Sequence, residues 1–326
     1  MKRLYLDSGY VNMKYVLSLP TPFIFCVGGR GTGKTYGTLA EVLKTGKQFL
    51  YMRRTQTQSD LISKPEFSPL QPVCRDLDLD LKIEQASKYS SAIYIDDGDR
   101  PRGYTVALST ISNLRGFDMS ECDYLIYDEF IPEMHERKLK NEGEALLNAY
   151  ETINRNRELQ GRPALKCICL SNANGKLGSP IFEVVGIADK VMSMYAKNQE
   201  LSISNGLTII LLNDSPISEA KAETVLYKVA NDHYKQMALA NKFDDHFTPK
   251  TVNILEYRPL VQVHDIVIYK HKSDDKIYCT TYKTGSPQVI SWDLYSSRYY
   301  DLVYQYDIRG AADYDKYTTR AALLDE

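Results

Sequence analysis

The sequence predicts an α/β fold in which a mostly parallel sheet, covered on both faces, is built around a phosphate-binding loop. Three observations point there. Residues 28–35 read GGRGTGKT and satisfy the G-x-x-x-x-G-K-[ST] pattern at every constrained position. The flanks suit it: PFIFCV (22–27) reads as a buried strand, and TYGTLAEVLKTG (35–46) has apolar residues at helical spacing with Gly46 as a stop. Downstream, apolar β-rich runs alternate with stretches of helical period, the pattern of parallel strands joined by crossover helices.

The elements follow in order. QFLYMRR (48–54) reads as a strand ending in two arginines, and 55–80, rich in Pro, Ser and Asp, as irregular. SAIYIDD (91–97) and GYTVALST (103–110) read as strands joined by the turn GDRPRG. DYLIYDEF (123–130) is a strand running into acids, and NEGEALLNAYETINRNRELQ (141–160) has helical period. LKCICLSN (165–172) is a buried strand, and KVMSMYA (190–196) is predicted as a further one. Residues 218–243 form a long helical stretch, one helix or two. From Thr251 onward eleven tyrosines and the runs VHDIVIYK and KIYCTTYK, around the turn HKSDD, indicate a small β-rich unit. The expected organisation is therefore a P-loop ATPase domain over 1–197, a helical linker over 198–245 and a C-terminal domain over 246–326.

Bulk properties narrow the class. The chain has 326 residues, 43% hydrophobic and 25% charged, as expected of a soluble globular protein with room for two domains. The start, MKRLYLDSGYVNM, lacks the apolar core of a secretory signal, and runs such as LTIILL (207–212) are far too short to span a bilayer. An intracellular protein with no membrane association is expected. Six scattered cysteines read as reduced core residues, and five histidines show no zinc-ligand spacing. Up to Lys197 there are 26 basic and 24 acidic residues, and beyond it 14 and 18. With no global positive field, any grip on DNA or RNA must come from local patches.

The candidate site residues start in the loop. Backbone amides of Gly28, Gly29, Arg30, Gly31, Thr32 and Gly33 cradle phosphate oxygens, Lys34 reaches the β and γ phosphates, and the Thr35 hydroxyl holds Mg²⁺. Asp128 and Glu129 close a hydrophobic strand about ninety positions later, as a Walker B element does. The aspartate holds Mg²⁺ through its water shell and the glutamate polarises the attacking water. Asn172 ends the next strand. In ATPases with a strand inserted between the two Walker strands, a polar residue there contacts the γ phosphate or the water. No Asn-Lys-x-Asp guanine motif is present, so ATP is expected over GTP.

Phosphoryl transfer also needs positive charge on the developing phosphate oxygens, often supplied by a neighbouring subunit. Arg155 lies four residues after Glu151, which suits an intrahelical ion pair, and equally is a candidate for that trans role. Arg115, in the loop before the Walker B strand, is a second candidate. Arg53 and Arg54 could serve the nucleotide, DNA or a surface; Arg100 and Arg102, at a hairpin tip, could touch a polyanion or be solvated turn charges.

The order of GGRGTGKT, FLYMRR, YDEFI, NRNRE and CICLSNA, all between Gly28 and Ala173, resembles the double-stranded DNA packaging motor ATPase of small podophages of the phi-29 kind. That family is a compact relative of large terminase subunits and FtsK/HerA-type translocases. The resemblance implies a P-loop NTPase of the additional-strand, catalytic-glutamate type. It also implies a homopentameric ring at the portal vertex of an empty capsid in the host cytoplasm, where ATP hydrolysis drives duplex DNA inward. Lys34 and Thr35 match its Walker A pair, Asp128 and Glu129 its Walker B pair, and Arg155 its trans-acting arginine; Arg115 aligns with an interface base less securely. A helical linker and an RNase H-like C-terminal domain are also implied. That domain departs from a working nuclease: the first hairpin strand ends in Tyr269 and Lys270 where an acid is wanted, and Asp274 and Asp275 lie in the turn. A non-cleaving docking domain, in contact with a packaging RNA, is expected. After FLYMRR the chain has no base until Lys64, which puts a DNA-gripping lysine there in question. A cutting-and-packaging terminase, a helicase and a nucleotide-gated assembly scaffold remain as alternatives.

Overall fold

The computed structural model describes residues 4–114, 118–132, 136, 139–173, 179–213, 215–230, 235, 238–239, 254–263, 266–273, 277–280 and 288–290. The chain divides into two compact units, Met1–Pro249 and Lys250–Glu326.

The first unit is organised by nine strands: β1 (Phe23–Gly28), β2 (Gln48–Arg53), β3 (Leu81–Ser87), β4 (Ser90–Ile95), β5 (Gly103–Ala107), β6 (Cys122–Asp128), β7 (Lys166–Ser171), β8 (Leu201–Ser204) and β9 (Leu207–Leu212). Their order across the sheet is β3-β4-β5-β2-β6-β7-β1-β9-β8. The six from β5 to β9 in that order run parallel, while β3, β4 and β8 are antiparallel additions at the two edges. Such a sheet needs apolar residues on both faces, and the sequence supplies them. In β1, Phe25 and Val27 face one core with Leu125, Tyr127, Cys167 and Cys169, whereas Ile24 and Cys26 face the other with Phe49, Tyr51, Ile126 and Ile168.

Helices flank the sheet, among them α1 (Met13–Ser18), α2 (Lys34–Lys44), α3 (Gln56–Ile62), α4 (Leu70–Asp76), α5 (Glu142–Asn154), α6 (Pro180–Val184), α7 (Ala188–Ala196), α8 (Pro216–Ala222) and α9 (Val225–Val229). Leu39, Val42 and Leu43 of α2 close one face, together with Ile62, Leu70 and Val73. Leu146 and Ile153 of α5, Phe182 and Val191 close the other.

Several expectations are corrected. Residues 55–80 are not irregular, because Thr55 and Gln58 form a capping box that starts α3, and Leu70, Val73 and Cys74 give α4 a buried stripe. KVMSMYA is helical: Val191 and Met194, three apart, are its buried residues, and a seven-residue apolar run fits either period until something packs on it. The first unit does not end at 197. LTIILL becomes β9, which pairs with β1 along its whole length and buries five of its six residues. The helical period of 141–160 breaks after Asn154, where Arg155 and Asn156 adopt left-handed backbone and a 3₁₀ turn follows. The stretch from 218 opens with two short helices separated by extended Thr224, and Lys235, Ala238 and Leu239 beyond them are helical again. Five cysteines are buried and free, as expected, but Cys279 is exposed.

In the second unit, β10 (Tyr257–Val263), β11 (Ile266–His271) and β12 (Ile277–Thr280) form an antiparallel meander. A fourth strand, β13 (Gln288–Ile290), lies parallel to β10 on its other side. The hairpin expected from VHDIVIYK and KIYCTTYK is there, and Tyr269 is buried on it as a packing residue. Asp274, Asp275 and the tyrosines beyond 290 lie outside the described residues.

Arg54 shows how burial decides a role. Its guanidinium is almost fully enclosed, donating to both carboxylate oxygens of Glu142 at 2.9 and 3.2 Å and to Glu136 at 3.1 Å. The Tyr127 hydroxyl also donates to Glu142, at 2.7 Å. Arg54 therefore ties β2 to the start of α5 and is not available to DNA or to a neighbouring subunit, a correction to the sequence reading. Arg54→Ala is expected to cost about 3–5 kcal/mol in a chemical denaturation midpoint experiment, because it strands the Glu142 carboxylate in the core.

Candidate active site

The parallel strands aim their C-terminal ends at one edge of the sheet, where α/β proteins place ligands. β1 delivers the glycine loop, β6 delivers Asp128 and Glu129, β7 delivers Ser171 and Asn172, and β2 delivers Tyr51 and Arg53. β7 lies between β1 and β6, so Asn172 emerges between the loop and the acidic pair. A cleft of about 240 Å³ opens there, walled by residues 31–36, Asp128, Glu129 and Asn172.

The loop turns through Gly31 (φ 67°) and Gly33 (φ 89°), left-handed backbone that side chains other than glycine's disfavour. Gly33 then caps α2, so Lys34 and Thr35 open the helix. The Lys34 ammonium is buried and donates to the Gly28 and Gly29 carbonyls at 3.0 and 2.8 Å, to Thr32 Oγ1 at 3.1 Å and to Asn172 Oδ1 at 3.1 Å. The Thr35 hydroxyl donates to both Asp128 carboxylate oxygens, at 3.2 and 3.1 Å. Tyr51 donates to Asp128 at 2.7 Å; burial first, then the Asp128 charge, push its phenol well above the usual range, which keeps it a donor. Arg53 lies 3.1 Å from Asp128 and 2.8 Å from Glu129. Glu129 sits at φ 57°, an uncommon backbone for a side-chain-bearing residue, and its carboxylate is about half exposed at the mouth of the cleft.

Among the described residues no group of three or more His, Cys, Asp and Glu side chains gathers as a metal nest. A hydroxyl beside one carboxylate, next to a phosphate cradle, fits Mg²⁺ nonetheless. That ion is held by one or two carboxylates together with substrate phosphates and water.

Lys34 carries a pH signature. Burial lowers its pKa from 10.5 to about 8, partly offset by Cys26 and Asp128. The unfolded chain keeps this proton up to its higher pKa while the folded chain releases it near 8. The charged form therefore costs about 3 kcal/mol below that pH, and stability recovers as pH rises through the interval. A triphosphate beside Nζ restores the charged form. ATP binding at about pH 9 is expected to take up as much as about one proton, seen in calorimetry as a dependence of the apparent enthalpy on buffer ionisation heat.

The other sequence candidates lie elsewhere or outside the described residues. Arg155 does not join the cluster. It caps α5 at φ 40°, half-exposed, and its guanidinium pairs with Asp118 at 3.2 Å in place of the expected Glu151. Arg157 is buried and bonded to the Cys122 carbonyl and Asp123, a structural tie. Arg100 and Arg102 precede β5, at the sheet edge opposite the cleft; Arg100 is exposed and the Arg102 guanidinium lies over Gly46. Lys64 is exposed after α3, beside exposed Leu61 and Phe67. Arg115 lies outside the described residues.

Sequence reasoning missed Tyr51, which looks like any aromatic residue of a buried strand. It also missed Lys221 of α8, whose ammonium donates to the Arg30 carbonyl, and the Ala238 carbonyl, which accepts from Arg30 N–H at 2.9 Å. No local signal marks a lysine nearly two hundred residues from the loop it touches.

The sequence profile of the podovirus DNA encapsidation protein (Gp16) family matches residues 6–253. The DNA packaging protein of Bacillus phage PZA is 26% identical over 247 residues, covering 73% of this chain and 68% of that protein. The DNA packaging protein of Bacillus phage phi29 is 26% identical over 242 residues, covering 72% and 66%. The chain thus spans about two thirds of these relatives' length. The crystal structure of the N-terminal domain of the phi29 DNA packaging ATPase matches with a TM-score of 0.50 at 26% identity, over 64% of this chain and 97% of that one. A chain of the phi-29 genome packaging motor assembly shares the fold with a TM-score of 0.63 at 19% identity, over 96% and 91%. The profile match extends over most of the chain and includes every strand of the nine-stranded sheet, so the chain belongs to the podovirus DNA encapsidation protein (Gp16) family.

Proposed function

We propose that the chain is an ATP-hydrolysing motor that translocates double-stranded viral DNA into a preformed capsid. The observation that carries it is the convergence of Lys34, Thr35, Asp128, Glu129 and Asn172 on one cleft, while Arg155 is half-exposed and paired with Asp118. The cleft gathers a phosphate loop, a hydroxyl and a carboxylate suited to Mg²⁺, and a second carboxylate suited to the attacking water. The site is of the additional-strand, catalytic-glutamate type, and β7 between β1 and β6 supports that assignment.

In this reading Lys34 binds the β and γ phosphates and the loop amides orient them. Thr35 and Asp128 hold Mg²⁺, which when bound neutralises phosphate charge. Glu129 accepts the proton of the attacking water, Arg53 and the backbone of Glu129 fix where that carboxylate stands, and Asn172 reports on the γ phosphate through Lys34. Arg155 completes the site of the next subunit in a ring, a pentamer at the portal vertex, working transiently at the procapsid in the host cytoplasm. Arg53 thus serves its own chain's site, while Lys64, Arg100 and Arg102 are left as candidate DNA contacts. The second unit is an RNase H-like domain without nuclease activity that docks the motor, in contact with a packaging RNA. Its meander, flanked by one parallel strand, supports that topology, and Tyr269 and Lys270 at the end of β11 offer no metal-binding acid.

Purified protein, procapsids and duplex DNA provide the test. ATP-dependent protection of DNA from added nuclease is expected, with no cleavage of DNA in Mg²⁺ or Mn²⁺ alone. Robust cleavage would favour a cutting terminase, and ATP turnover indifferent to DNA in the assembled ring would favour a scaffold.

A further inference from the structure

We infer that Tyr36 and Tyr10 grip the nucleoside end of the bound nucleotide, Tyr36 as a stacking platform for a purine base; this rests on the nucleotide site proposed above. Lys34 serves the β and γ phosphates and Thr35 the metal. A polyphosphate laid along the loop therefore reaches its α end at the next residue of α2, which is Tyr36. Among the described residues lining the cleft, Tyr36 is the one aromatic; the rest are glycine, hydroxyl, amide and charge. A purine leaving the phosphate cradle can lie flat against that ring. The Tyr36 ring is also held in place. Its hydroxyl donates to Asp76 at the end of α4, at 2.8 Å, a bond that raises the phenol's pKa and keeps it a donor.

Tyr10 approaches the same helical turn from the amino-terminal segment. Its ring and Cβ atoms lie 3.1–3.5 Å from where a side chain on Gly33 would begin. The backbone beside it is pinned to the loop, with Val11 N–H donating to the Thr32 carbonyl at 3.0 Å and Leu6 N–H to the Tyr10 carbonyl at 2.8 Å. Gly33 and Tyr36 are three residues apart, so the two tyrosines flank one turn. Each stays 43% exposed; Tyr36 lines the cleft and Tyr10 lies against Gly33, which also lines it. A stacked base is worth roughly a 5- to 150-fold change in affinity when the aromatic partner is removed.

The test compares two probes on the 326-residue chain with Mg²⁺: ATP, and inorganic tripolyphosphate, which has the phosphates and no base. Tyr36→Ala and Tyr10→Ala are each expected to weaken ATP about tenfold or more while leaving tripolyphosphate within about twofold. Tyr36→Phe should bind ATP nearly as wild type does, and the wild-type preference for ATP over CTP should narrow in Tyr36→Ala. Tyr36→Leu, which keeps apolar bulk without a ring, replaces the alanine variant if that one fails to fold. Equal loss of ATP and tripolyphosphate would overturn the inference by showing that the rings merely support the loop, and so would unchanged ATP affinity. Wild-type protein that binds neither probe would instead overturn the nucleotide-site reading itself.

Discussion

Glu129→Gln is expected to lower ATP turnover by about 10²–10⁴-fold while leaving ATP affinity nearly unchanged. The substitution keeps the size and hydrogen-bonding shape of the side chain but removes the group that can take a proton from water. Binding should survive because the contacts assigned to the phosphates come from the loop, Lys34 and Thr35. The fold should survive as well. The Glu129 carboxylate is about half exposed, and its backbone is tied down by the N–H bond to Asp128 Oδ1 at 3.1 Å. Steady-state phosphate release paired with equilibrium nucleotide binding reads both quantities. Turnover within a few-fold of wild type would remove Glu129 from the chemistry and move attention to the Asp128–Tyr51–Arg53 group.

Arg155→Ala should be as severe in the assembled ring and silent in the isolated subunit. A trans-acting arginine contributes about 10³–10⁵-fold to turnover where such fingers operate, yet Arg155 takes no part in its own chain's cleft. Its guanidinium is held by Asp118, and both side chains are substantially exposed, so water and salt screen the pair and release costs little. A mixed-ring experiment gives the sharpest readout. Rings made only of Glu129→Gln or only of Arg155→Ala subunits should each be inactive. Mixed, they should regain measurable turnover, because a site that takes Glu129 from one subunit and Arg155 from the next is whole. No recovery, with mixed rings shown to form, would mean that Arg155 acts within its own subunit or not at all. Loss of ATP binding in Arg155→Ala would equally sink the trans role.

The parts of the site that are legible in sequence are those whose chemistry demands neighbouring residues. GGRGTGKT, the strand-ending Asp128 and Glu129, and Asn172 at the end of the next apolar run all occupy one cleft, because strand ends in a parallel sheet share an edge. The arginines were not legible in this way. Arg53 and Arg54 are adjacent in the chain and alternate across a strand end, so one reaches Asp128 and Glu129 while the other is buried against Glu142. Nothing local tells which is which. Arg155 and Arg157 divide similarly: the helix stops between Asn154 and Arg155, leaving Arg155 at the surface and pulling Arg157 back onto Cys122 and Asp123 at the start of β6.

The sequence alone determined the glycine-rich loop, the acidic strand end and the buried run ending in Asn172, each written in a contiguous run, and, through the order of five such runs, the family resemblance. Tertiary structure decided what depends on remote partners. It made KVMSMYA a helix, because Val191 and Met194 pack on the sheet as a helical stripe. It carried the first unit past residue 197, because LTIILL pairs with β1. It set Tyr51 on Asp128 and Lys221 on Arg30, contacts between residues far apart in the chain. Short apolar runs and single charges carry too little local free energy to choose their own state, so the packing surface available to each makes the choice.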